Sequence, residues 1–192
     1  VLIDALSHCQ GARRQGIHLR VSVNLSARSL HDPHLPEMVE DALKITGAGP
    51  DQLTLEITES AIMLDPKRAE ETLTRLSRMG IRLSIDDFGT GYTSLASIAR
   101  LPVNEIKIDR SFVAGMLTNK SDATIVRSVI ELAHNLDMTV VAEGVETQET
   151  FDALAALDCD EAQGYFISKP QACEPLKRWF PTSSWKLGST ID

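Results

Sequence analysis

Leu53-Thr54-Leu55-Glu56-Ile57-Thr58 alternates without a break. As a strand it points Leu53, Leu55 and Ile57 to one face and Thr54, Glu56 and Thr58 to the other. Three further stretches repeat the pattern. In Val21-Ser22-Val23-Asn24-Leu25, Ser22 and Asn24 oppose the valines. In Leu83-Ser84-Ile85-Asp86, Ser84 and Asp86 oppose Leu83 and Ile85. In Ile106-Lys107-Ile108-Asp109, Lys107 and Asp109 oppose the isoleucines. A flat parallel sheet covered on both sides wants apolar residues on both faces. A barrel packs its outward face on helices and can gather polar groups on its inward face, near one end. The pattern therefore predicts an α/β fold of the TIM-like (β/α) barrel type.

Working outward, β-branched runs recur at 19–25, 53–58, 82–87, 105–109, 139–145 and around 161–166. Segments with helical spacing lie between most of them. Asp65 followed by Pro66 reads as a cap and first helical residue, and Gly80 closes that helix. Ser121 before Asp122 starts another, which carries Ile125, Val129, Ile130, Leu132 and Ala133 toward a core. The stretches 37–45 and 151–157 behave likewise. Strands alternating with helices imply parallel βα units joined by right-handed crossovers.

Length and composition suit one globular domain: 192 residues, 43% hydrophobic and 24% charged. No run of 18 apolar residues offers a membrane span, and Val1-Leu2-Ile3-Asp4 does not read as a signal peptide. The expected location is cytoplasmic. Cys9, Cys159 and Cys173 lack metal-ligand spacing and read as buried reduced thiols. A net charge of -8 opposes binding to duplex nucleic acid. A small anionic ligand is compatible with it where metal ions or a local cation offset the repulsion.

Each predicted strand offers a polar side chain near its C-terminal end. In order these are Asn24, Glu56, Asp86, Lys107, Glu143 and Gln163, spaced about 20 to 36 residues apart, as βα units are. Active sites of such barrels sit at that mouth. Mg²⁺ and Mn²⁺ prefer carboxylate and carbonyl oxygens, which Asn24, Glu56 and Asp86 supply. Asp87 follows directly, and a turn at the strand end would bring both carboxylates to the mouth. A carboxylate shared by two ions suits phosphodiester chemistry, in which the ions activate water and steady the departing oxygen. Lys107 adds positive charge near the attacked phosphate. Gly89-Thr90-Gly91 permits a tight loop beside the pair. Taken singly, each feature has a plain explanation. Asp-Asp is usually a solvated turn, a lone lysine is usually on the surface, and Asn24 or Gln163 alone would be a turn residue. The five histidines show no metal spacing. The shared register of all six positions is what points to a metal or phosphate site.

Val23-Asn24-Leu25-Ser26, Leu55-Glu56-Ile57-Thr58-Glu59-Ser60, Asp86-Asp87-Phe88-Gly89-Thr90-Gly91-Tyr92, Ile106-Lys107-Ile108-Asp109, Ala142-Glu143-Gly144-Val145-Glu146 and Gln163-Gly164-Tyr165-Phe166 together closely resemble the EAL-domain family. That family comprises bacterial cyclic di-GMP phosphodiesterases. The resemblance implies a modified (β/α)8 barrel that converts cyclic di-GMP to linear pGpG with two Mg²⁺ or Mn²⁺ ions. It implies that Asn24, Glu56 and Asp86 bind the first ion, that Asp86 bridges to the second, and that Asp87 sits at the second. Glu143 would be a ligand of that second ion or a base for the water. Lys107 would orient or polarise the water, and Gln163 would lie near the water or the substrate. Glu59 would hold the loop after Asp87, with Glu146 as a supporting acid. Tyr92-Thr93-Ser94-Leu95 departs mildly from the family's usual Tyr-Ser-Ser-Leu.

The Glu-Ala-Leu segment that names the family does not occur here. The similar Asp4-Ala5-Leu6 falls in the predicted helix before Val21. The expectation is an EAL-type domain over residues 1–180, incomplete at its N-terminus, with the first two barrel strands, one metal ligand and a substrate-binding Arg absent. Residues 181–192 would form a loose polar tail. The resemblance further implies an upstream sensor, receiver or cyclase domain in a longer parent chain, and homodimers. Two other functions stand beside hydrolysis: a receptor module that binds cyclic di-GMP without cleaving it, and an inactive fragment.

Overall fold

The computed structural model describes residues 1–90 and 95–185. Six strands form one sheet in sequence order: β1 (Val21–Leu25), β2 (Leu53–Thr58), β3 (Arg82–Phe88), β4 (Glu105–Ile108), β5 (Thr139–Glu143) and β6 (Glu161–Gln163). Every neighbouring pair is parallel. The sheet curls as a half-barrel, as the alternating strands predict. Among the described residues, β1 and β6 each have one partner strand.

Ten α-helices accompany the strands among the described residues: α1 (Leu2–Arg13), α2 (Ala27–Leu30), α3 (Leu35–Thr46), α4 (Glu59–Leu64), α5 (Pro66–Arg78), α6 (Leu95–Ile98), α7 (Arg110–Gly115), α8 (Lys120–Asn135), α9 (Gln148–Ala155) and α10 (Cys173–Trp179). The Asp65 carboxylate accepts a bond from Arg68 N at 3.2 Å at the start of α5, and Gly80 follows its end with φ +83°. Helix α8 begins at Lys120, ahead of the predicted Ser121, because the Asn119 side chain accepts from Ser121 N at 2.9 Å. Helix α9 begins before the predicted 151 because Thr147 caps it, accepting from Thr150 N at 3.2 Å. Its first turn is polar and carries no periodic signal.

The strand faces divide as the alternation predicts. Leu53, Leu55, Ile57, Leu83, Ile85, Ile106 and Ile108 are fully buried and join the core shared with the helices. Each such side chain contributes about 1.5–3 kcal/mol. At the N-terminal end of the sheet, Arg82 pairs with Glu105 at 3.3 Å and bonds Thr139 Oγ1, tying β3, β4 and β5 together. Cys9 is buried, whereas Cys159 and Cys173 are only half-buried; all three are free thiols. The tail differs from expectation up to residue 185. Trp185 packs edge-on against Phe151 at 5.3 Å and Phe166 at 5.8 Å, because an indole offers too much apolar surface to leave in water. Residues 186–192, the rest of that tail, lie outside the described residues, as do Gly91, Tyr92, Thr93 and Ser94.

Candidate metal centre

Three short helices start directly at strand ends, and their caps fix the mouth. Ser26 caps α2 and Thr58 caps α4, each through its hydroxyl. The Asp109 carboxylate caps α7 by accepting from Ser111 N at 2.9 Å. These helices are too short to show a helical period and so leave little sign in the sequence.

Asp86 and Asp87 reach the mouth by a route the alternation did not foresee. Ile85 is in register with Ile106, and Phe88 with Ile108. Two residues of β3, Asp86 and Asp87, therefore stand opposite the single residue Lys107 of β4. This is a β-bulge inside the strand, which re-aims a side chain next to the extra residue. The expected turn at the strand end is thus replaced by an extra residue within it. Asp87 takes the left-handed conformation, φ +55°, which aspartate tolerates better than most residues. Its N–H donates to Asp86 Oδ1 at 3.1 Å.

Lys107 stands at the centre. Its Nζ lies 2.6 Å from Glu143 Oε1, 3.1 Å from Glu56 Oε2 and 3.2 Å from Asp86 Oδ1. The residue is only 4% exposed. Glu56 is in register with Ser84, one inward-facing position before Asp86 on β3. Glu143 lies one inward-facing position beyond Val141, the register partner of Lys107. The lysine stem spans these rows. Gly144, at φ +71°, then turns the chain where a Cβ would sit 2.6 Å from the Arg110 Cβ. Only glycine fits there, and it sets the direction in which Glu143 leaves the strand.

The electrostatics follow from one ammonium among four carboxylates. Burial alone would push the Lys107 pKa down. The hydrogen bond to Glu143 and the charges of Glu56, Glu143 and Asp86 outweigh it and hold Lys107 above the ordinary lysine value. Burial raises the Glu143 carboxyl, opposed by Lys107 and reinforced by Asp86 and Glu56. Asp87 is raised by burial, then by the nearby charges of Asp86 and Asp109. The cluster keeps an excess of negative charge.

Asp86, Asp87 and Glu143 each offer a carboxylate oxygen within 4.8 Å of the others. Hard oxygen donors at this separation fit a hard divalent cation, and the unbalanced charge gives one a reason to bind. The remaining predicted positions lie around this centre. Asn24 is exposed on the edge strand, in register with buried Glu56. Gln163 is exposed on the opposite edge, in register with Glu143. Glu59 is buried in the first turn of α4. Glu146 is exposed in the segment after β5. Asp109 had been placed on the polar face of its strand without a role. Its proximity to Asp87 shows only in the fold, where its charge helps raise the Asp87 carboxyl.

A model of the EAL domain matches residues 1–170. The chain belongs to the EAL-domain family. The oxygen sensor protein DosP of Escherichia coli is 42% identical over 180 residues, covering 93% of this chain and 22% of that protein. A structure described as the PaMucR phosphodiesterase in complex with c-di-GMP superposes with a TM-score of 0.88 at 38% identity, covering 91% of this EAL chain and 71% of the other. A manganese and cyclic di-GMP complex of Klebsiella pneumoniae BlrP1 gives a TM-score of 0.79 at 32% identity, covering 88% and 43%. This EAL chain spans less than a quarter of the length of the first curated relatives it matches. Among its described residues no helix is long and apolar enough to cross a membrane.

Proposed function

We propose that this chain forms the catalytic face of a cytoplasmic phosphodiesterase that hydrolyses one bond of cyclic di-GMP to give linear pGpG. The observation that carries the reading is the cluster of Glu56, Asp86, Asp87 and Glu143 around Lys107 at the strand ends of an EAL domain. In this reading Asn24, Glu56 and Asp86 hold a first Mg²⁺ or Mn²⁺. Asp86 also serves a second ion, together with Asp87. Such ions, when bound, acidify water and offset charge on the phosphodiester.

The chain's own residues do the rest. Lys107 orients the water and stabilises charge developing on the phosphoryl oxygens. Glu143 holds the second ion or takes the proton of the water. The water oxygen bonds to phosphorus, one ester P–O bond breaks, and the proton ends on the departing hydroxyl. Gln163 contacts the water or the nucleotide at the rim. Glu59 anchors the loop after Asp87, with Glu146 in support. The domain runs to residue 180. The parent chain carries a sensor, receiver or cyclase domain upstream and works as a homodimer.

The test is incubation of cyclic di-GMP with the parent protein and Mn²⁺ or Mg²⁺, followed by chromatography. Metal-dependent pGpG is expected, and Asp86→Ala should abolish it. Calorimetric binding without any pGpG would assign the chain to receptors instead.

A further inference from the structure

Lys107 does something in this cluster that water positioning does not require. Its ammonium is within 3.2 Å of three carboxylates on three different strands, and its side chain is 5% exposed. Two of those three, Asp86 and Glu143, also belong to the group whose oxygens lie within 4.8 Å of one another. The lysine and a divalent cation therefore draw on the same oxygens. A positive charge this close repels a second one strongly in a partly buried site. It also screens the carboxylates from each other, since four negative charges without it would face one another across β2, β3 and β5.

We propose that Lys107 is a built-in competitor for the divalent cation, holding the carboxylates together when no ion is bound and weakening ion affinity in exchange. This rests on the metal-site reading above. On ion binding the ammonium gives up contacts to Asp86 and Glu143, and its flexible stem lets it turn to the phosphate side. The lysine thereby links ion binding to the placement of the group that meets the substrate. A lysine whose ammonium stood clear of these carboxylates would leave the ion's affinity unchanged.

The experiment is titration of Mn²⁺ into the 192-residue chain, followed by the loss of the free-ion electron paramagnetic resonance signal. Wild type, Lys107→Met and Lys107→Arg are compared at one pH and salt concentration. Lys107→Met should bind Mn²⁺ about tenfold more tightly than wild type. Lys107→Arg, which keeps the charge, should stay within about threefold of wild type. Melting in chelator and in Mn²⁺ supplies a second readout. The Mn²⁺-induced rise in Tm should be larger for Lys107→Met, whose carboxylates lack the ammonium until the ion arrives. This readout also serves if Lys107→Met folds only with the ion present. Equal or weaker Mn²⁺ binding by Lys107→Met, with clear binding by wild type, overturns the competitor role and leaves the metal site standing. Failure of all three proteins to bind Mn²⁺ overturns the metal site itself.

Discussion

Strands β1 and β2 carry the same alternating pattern, yet they live in different surroundings. In β2, Thr54 and Glu56 are buried; in β1, Ser22 and Asn24 at the register-matched positions are exposed. The same contrast holds on the far side, where Glu143 is half-buried and its partner Gln163 is exposed. Alternation fixes which way a side chain points, whereas a neighbour on both sides decides whether it is dry. Charge among the central strands is under strong mutual influence, and polar groups at the edges are solvated and weakly coupled. Substitutions in the centre should therefore disturb both stability and chemistry, and those at the edges chiefly chemistry.

The largest effect is expected at Asp86. Asp86→Ala removes the carboxylate shared by Lys107, the Asp87 N–H and the proposed ions, and pGpG formation should fall about a thousandfold or more in an activity assay. Stability should separate centre from edge next. In chelator, Lys107→Met should cost about 3 kcal/mol by denaturant titration, because buried Glu56 and half-buried Asp86 and Glu143 lose their counter-charge. Gln163→Ala at the exposed rim should stay within about 0.5 kcal/mol of wild type by the same titration. A comparable loss in both would erase the proposed distinction.

A smaller effect concerns pH. Burial and the charges of Asp86 and Asp109 raise the Asp87 pKa, so Asp87 takes up its proton above the ordinary carboxylate range as pH falls. Protonation of the ion-free site removes a ligand, so Mn²⁺ affinity should begin to weaken at a higher pH than an ordinary aspartate would cause. Asp109→Asn keeps a side-chain cap for α7 but removes one of the charges acting on Asp87. The onset of weakening should move to lower pH in Mn²⁺ titrations across a pH series. An unmoved or raised onset would mean that Asp109 does not act on Asp87.

Much of this was legible in the sequence. Alternation in four stretches gave the barrel-type strands and their inward faces, and four of the inward polar residues, Glu56, Asp86, Lys107 and Glu143, meet in one cluster. Three things were not legible. The bulge at Asp86-Asp87 shows only in the pairing, since its extra residue is defined by the register of β4. The caps at Ser26, Thr58 and Asp109 launch helices too short for a periodic pattern to repeat. The central place of Lys107 was hidden because a lysine among isoleucines looks the same whether its end meets water or three carboxylates. The family resemblance supplied roles for Glu59 and Glu146, which their own sequence contexts would not have suggested.

The central claim is that the carboxylates clustered around Lys107 are a two-ion site. Anomalous diffraction at the manganese edge, from crystals of this chain grown with Mn²⁺, tests it most directly. The account predicts two peaks about 3.5–4 Å apart, with the Asp86 carboxylate between them and Asp87 at the second. Manganese bound elsewhere on the chain, with none at Asp86, would contradict it.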